Sequence, residues 1–311
     1  MTPSINLDST IDNSEHVSFL GIVAACPTID KCPYNNRQEI FHRRQAGISE
    51  GESEWILLTD IDDQTFAREF LLDLEFDLDD DDDDDDDDDQ HHHENQHNDY
   101  KQSEFPLFWS SFDANLNLLL VRMPILKTHE VAAHTFNQLF LDAVAPTGLK
   151  YELVFTGSMT CYGEKGRKQA DCSYLPYRVP RGRSRDWPSV ALEMAFSENG
   201  SKLMSDVRFW LNQSHGNVKI ALTLRVDRPI PLVTIEAWEA NEKGRPHRTQ
   251  RVTIERTGTD TIKVSGPLTI GFEKLFLREA DIPRETDIVM DSGKLETQAV
   301  PGPLIKLRMG Y

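Results

Sequence analysis

Three stretches of the chain repeat apolar residues at helical spacing. In "DDQTFAREFLLDLEF" (62–76) these are Phe66, Phe70, Leu71 and Leu74, with acids on the other face. In "THEVAAHTFNQLFLDAV" (128–144) they are Val131, Ala132, Phe136, Leu139 and Phe140. In "NGSKLMSDVRFWLNQS" (199–214) they are Leu203, Val207, Trp210 and Leu211. Other stretches alternate apolar and polar residues or run apolar over strand length. They cover 116–124, 150–158, 170–175, 189–196, 217–226 and 232–240. The segments 251–256 and 261–266 flank the turn "TGTD" and predict a hairpin, and 267–277 predicts a closing strand.

From residue 105 onward the order is helix, three strands, helix, then strands. That order predicts an α/β or α+β fold, a mixed sheet flanked by helices. The N-terminal part predicts something different. Residues 1–50 are polar and irregular, and 79–89 is an unbroken run of Asp followed by "QHHHENQHNDY". Dense like charge with nothing apolar to offset it predicts a disordered stretch. The expected division is therefore an acidic, largely disordered region over 1–104, a folded domain over 105–280 and a C-terminal tail over 281–311.

Charge sharpens this division. The chain of 311 residues has a formal net charge of −19. Residues 1–104 hold 6 Lys+Arg against 29 Asp+Glu, while 105–311 hold 27 against 23. A mildly basic body joined to an acidic segment points toward nucleic-acid contact or toward a regulatory acidic tail. Cys26, Cys32, Cys161 and Cys172 form no CxxC pair and have no zinc-finger spacing, which predicts reduced thiols in an intracellular protein, of the cytoplasm or nucleus. The apolar run "VSFLGIVAAC" (17–26) is too short to span a bilayer, so no membrane contact is expected.

Two acids stand out. Asp171 begins one predicted strand and Glu193 lies in the next. If those strands pair antiparallel, the carboxylates meet on one face. Hard oxygen ligands of this kind suit Mg²⁺ beside a phosphate. No P-loop, dinucleotide-binding glycine pattern or nucleophile elbow is present, which excludes the usual nucleotide hydrolase, dehydrogenase and serine hydrolase signatures.

An ordered series of short pieces extends the match. It comprises "HE" (129–130), "GS" (157–158), "RKQAD" (167–171), "WPSVALE" (187–193), "LMSDVRFWLNQSHGNVKIAL" (203–222), "VTIEAWE" (233–239) and "GPLTIGFEKLF" (266–276). In this series the chain resembles a group of fungal proteins with the PD-(D/E)XK, restriction-endonuclease-like fold, related to bacterial endonucleases. The resemblance implies a metal-dependent nuclease that hydrolyses phosphodiester bonds. It implies that Asp171 and Glu193 hold Mg²⁺ and that Glu130 is an auxiliary helix acid. The pattern breaks at Ala195, where the family has Lys. Lys202 on the following helix is the expected substitute, with Lys219 and Lys168 as alternatives. Gln169 also replaces a position that is often acidic. With the Lys displaced, the alternative is a catalytically degenerate module that binds nucleic acid or protein and carries a regulatory acidic segment. Lys165, Arg167, Lys168, Arg181, Arg183 and Arg185 surround the Asp171 strand and are the expected phosphate contacts. Trp210 and Asp206 are read as core packing and as a paired or solvated helix face.

Overall fold

The computed structural model describes residues 18–27, 29–45, 55–71, 108–122, 127–157, 159–196, 200–227, 230–257 and 261–299. Two sheets organise it. The first is built from β1 (Asp30–Pro33), β2 (Trp55–Thr59), β3 (Phe108–Asp113), β4 (Leu118–Arg122), β6 (Thr160–Gly163) and β7 (Gly166–Gln169), in the order β1-β2-β4-β3-β7-β6. The second contains β5 (Leu153–Phe155), β8 (Cys172–Pro176), β9 (Val190–Phe196), β10 (Ile220–Asp227), β11 (Leu232–Ala240), β12 (Pro246–Thr257) and β13 (Thr261–Val264). Its order is β13-β12-β11-β10-β9-β8-β5. Only β1/β2 and β9/β10 pair in parallel; the other neighbours in these two sheets are antiparallel.

A parallel pair requires a crossover. Between β9 and β10 that crossover is α5 (Gly200–Arg208), extended by a π-helical turn at Phe209–Gln213. It packs on one face of the second sheet. On the other face lies α4 (Lys127–Val144), whose stripe Ala132, Phe136, Leu139 and Phe140 is buried against Tyr174, Leu192 and Met194. Helix, antiparallel strands, helix and parallel strand thus follow one another around a mixed sheet. This is the mixed, helix-flanked α+β architecture expected above. With both faces covered, β9 reads as the near-continuous apolar run "VALEMAF", interrupted by Glu193.

The first sheet lies against the α5 face of the second. Trp55, Leu57, Leu118, Leu120 and Cys161 share a core with Val207, Trp210, Ala191 and Ala221. Helix α1 (Phe19–Ala24) closes the edge of this layer, and Ser205 Oγ donates to Phe19 O at 2.6 Å. The outer face of the first sheet is covered by α2 (Arg37–Gln45) and α3 (Asp63–Phe66), the latter continued by a π-helical turn at Ala67–Leu71. Gly166 marks how closely β3 and β7 approach, since a Cβ there would lie 2.0 Å from Phe112 O.

Several expectations are corrected. The boundary at residue 104 does not separate fold from tail, because Trp55, Ile56, Leu57 and Leu58 are buried in the first sheet. The apolar run "WILLT" is a central strand, overshadowed in the sequence by the charge around it. Residues 281–299 are also built in: β15 (Ile288–Met290) pairs with β14 (Leu268–Ile270), and α7 (Ser292–Ala299) buries Leu295. The predicted strand 267–277 is instead β14 followed by the short helix α6 (Phe272–Phe276). The hairpin β6/β7 was not apparent in the sequence pattern. The Asp run 79–89 and residues 300–311 lie outside the described residues. Among the described residues no helix is long and apolar enough to cross a membrane.

Deleting residues 1–104 is expected to abolish cooperative unfolding, because it strips β1, β2, α1 and α3 from two cores. Urea denaturation followed by circular dichroism checks this. A fragment 105–311 that unfolds cooperatively at the full-length midpoint would contradict it.

Candidate functional site

Antiparallel pairing of β8 with β9 sets Cys172 opposite Leu192. Asp171, one residue before β8, therefore comes beside Glu193 and Met194. Its Oδ2 accepts the Met194 backbone N–H at 2.7 Å, and its Oδ1 accepts from Arg122 Nη1 at 3.1 Å. Arg122 ends β4, so the first sheet supplies the cation that holds this acid. Both side chains are largely buried.

Glu193 sits mid-strand on the face that points toward α5 and the first sheet. Its Oε2 meets Lys202 Nζ at 3.0 Å. Its Oε1 meets Lys168 Nζ at 3.2 Å and accepts the Trp210 indole N–H at 2.7 Å. Asp206 closes the ring, with Oδ1 2.7 Å from Lys168 Nζ and Oδ2 2.8 Å from Lys202 Nζ. Two ammonium groups and two carboxylates thus alternate, and each of the four side chains is at most 1% exposed. Lys168 also donates to Ser110 Oγ at 3.3 Å and Ser111 Oγ at 3.1 Å on β3. The Trp55 ring lies over Lys202, 4.5 Å from its ammonium.

The geometry is what makes this burial tolerable. An isolated buried charge costs several kcal/mol, and only close opposite partners with good hydrogen bonds offset that cost. Burial, reinforced by Asp206, pushes the Glu193 carboxyl up to about 7 despite Lys168 and Lys202. Burial works against the Lys202 ammonium, but Asp206, Glu193 and Asp171 outweigh it and hold its pKa above the ordinary lysine range. Lys202 is therefore held as a cation, while the Glu193 carboxyl is pushed toward its protonated form.

The structure brings Asp171, Glu193 and Lys202 together. Glu130 lies in the first turn of α4, and its side chain is outside the described residues. Lys219 donates to Gly216 O at 2.6 Å and does not join the ring. Ala195 is buried, and Arg225 of β10 stands directly across from it. Lys168, Asp206, Arg122 and Trp55 complete the cluster. In the sequence Lys168 is an alternative to the displaced Lys and Asp206 a paired or solvated helix face, whereas Arg122 and Trp55 carry no signal. One usable signal was the i,i+4 pair Lys202 and Asp206 bordering the apolar stripe of α5.

A divalent cation would have to compete with the donors that already hold these acids. Both oxygens of Asp171 and both of Glu193 already receive hydrogens from N–H or ammonium donors. Entry of a cation would place it against Lys168, Lys202 and Arg122. Among the described residues no group of three or more His, Cys, Asp and Glu converges in a way that could hold a metal ion.

Two of the expected phosphate contacts are also corrected. Lys168 is fully buried in the ring and cannot meet a phosphate. The Arg183 guanidinium is turned inward, where it donates to the carbonyls of Ser184, Trp187, Pro188 and Asn217 and clips the loop before β9. Arg167 pairs with Asp63 at 2.7 Å and packs over Phe66 and Phe112. Arg185 donates to Tyr177 O at 2.7 Å, and Lys165, Arg181 and Arg185 are exposed.

No protein-family model matches the chain, and no curated protein matches it. Among solved structures it is similar to a candidate nuclease of the DUF820 family from Anabaena variabilis, at 10% identity and a TM-score of 0.30. That match covers 49% of this chain and 79% of the other. A likeness this slight carries no weight for fold or activity.

Lys202→Met leaves two buried carboxylates facing one ammonium and is expected to cost about 3–5 kcal/mol. Urea unfolding checks this, and a loss under about 1 kcal/mol would contradict a structural ring. The pH dependence follows from Glu193. Folding raises its pKa from 4.5 to about 7, so the folded state binds the extra proton. Stability should fall as pH rises through that window, by up to about 1.4 kcal/mol per unit. Glu193→Gln should remove this component of the slope when both proteins are unfolded in urea from about pH 4.5 to about pH 8. Parallel profiles for the two proteins would exclude Glu193 as its source.

Proposed function

We propose that the chain is a non-catalytic module of restriction-endonuclease-like architecture, acting by binding rather than by cutting. One observation carries this: the carboxylates that a nuclease would turn toward a metal are spent on Lys168, Lys202, Arg122, the Trp210 indole and the Met194 amide. The first sheet lies over them, and Trp55 covers the Lys202 ammonium. Glu193 is 1% exposed beneath this cover. The charge ring then fixes the register of β7, β9 and α5 against one another, the best-attested use of buried ionic groups.

A metal-dependent nuclease that hydrolyses phosphodiester bonds is the alternative. It is favoured by the 3.0 Å contact of Lys202 with Glu193 and by Asp171 at its side. It requires the first sheet to open and Arg122 and Lys168 to release both acids.

The deciding experiment incubates the full chain with labelled single- and double-stranded DNA and RNA in Mg²⁺ or Mn²⁺. Asp171→Asn and Glu193→Gln are run beside it. No cleavage above the protein-free control is expected. Metal-dependent cutting that disappears in both variants would overturn the non-catalytic assignment and establish the nuclease.

A further inference from the structure

The face of the second sheet that carries Glu193 continues beyond the first sheet. Strand register sets Thr223 beside Glu193 and Arg225 beside Ala195. Across the next strands Arg225 lies opposite Thr234, Thr234 opposite Thr253, and Glu236 opposite Arg251. Residues two apart on a strand share a face, so Arg225, Thr234, Glu236 and Arg251 form one surface. There the cover ends: the Arg225 side chain is 27% exposed and that of Arg251 is 47% exposed.

The donors on this surface are under-used. Arg225 reaches Asp227 only at 3.8 Å, and its Nε is buried with no hydrogen-bond partner. Arg248 takes Glu236 at 2.9 Å, which leaves Arg251 with that carboxylate at 3.7 Å. Thr234, opposite Arg225, and Glu236, opposite Arg251, both lie between the two arginines on β11; the Thr234 hydroxyl is buried with no hydrogen-bond partner. Each guanidinium presents five N–H donors in a planar fork that matches a tetrahedral oxyanion. Strands β10 and β12 are about 10 Å apart across β11, and Arg225 and Arg251 are also offset by two residues along them; two arginine side chains leaning inward can bridge that diagonal with a phosphate between them.

We propose that Arg225 and Arg251, on the half-open part of this face of the second sheet, hold a phosphate group of a nucleic-acid backbone. The site needs no metal and lies outside the buried ring. It deepens the proposed function by naming the ligand chemistry, and it rests on the chain acting by binding. Free phosphate offers the same oxyanion, so the test separates the two sources.

Fluorescence anisotropy with a labelled single-stranded oligonucleotide is measured for the full chain at several salt concentrations, with inorganic phosphate as competitor. Arg225→Gln and Arg251→Gln are each expected to weaken binding about tenfold and to lower the salt slope by about one. Lys294→Gln on α7, which packs on the opposite face of the second sheet, is expected to leave binding unchanged. Wild-type affinity in both arginine variants overturns the site. Binding of phosphate without oligonucleotide overturns the nucleic-acid assignment. Binding of neither overturns the proposal entirely, while the cleavage assay still decides separately whether the chain is catalytic.

Discussion

The alternating ring of Lys168, Glu193, Lys202 and Asp206 is the constraint on which the rest of the structure depends. Its members come from three places: β7 in the first sheet, β9 in the second, and α5 between them. None of the four charges can be buried alone, so the two sheets and the crossover helix assemble together or not at all. The aromatic shell follows from the same requirement. Trp210 donates its indole N–H to Glu193 and Trp55 faces Lys202, so two bulky side chains exclude water while meeting the charges they cover.

This arrangement divides one sheet face into two parts with different chemistry. The part under the first sheet is closed, its acids and ammonium groups facing one another. The part over β10, β11 and β12 is half-open and arginine-bearing, with donors left over. The acidic position of Glu193 and the basic position of Arg225 are one strand and two residues apart, yet only the second can meet a partner without rearrangement of the fold.

Much of the second sheet was legible in the sequence, because its elements are local and strongly patterned. The stripe of α4, the crossover helix and the strands β8 to β12 all follow from period and length. Asp171, Glu193 and Lys202 were legible as a group through the resemblance and the strand order. The partners that change their meaning were not. Lys168 and Arg122 sit on short strands whose pairing is non-local, and nothing in "GRKQ" or "LLLVR" indicates which charge turns inward. Trp55 was hidden by its setting, since the acidic composition of residues 1–104 drew the boundary in the wrong place. Composition averaged over a long segment conceals a five-residue buried strand.

The central claim is that the ring is a closed structural core and not a site that opens to admit metal and substrate. Hydrogen exchange of the Trp210 indole and the Met194 amide tests it most directly, because those protons are spent on Glu193 and Asp171. The account predicts that both exchange only through global unfolding, at the slowest rates in the protein, and that Mg²⁺ leaves them unchanged. Exchange more than about tenfold faster than the slowest amides of β10, altered by Mg²⁺, would mean that the site opens and binds metal, and would contradict the account.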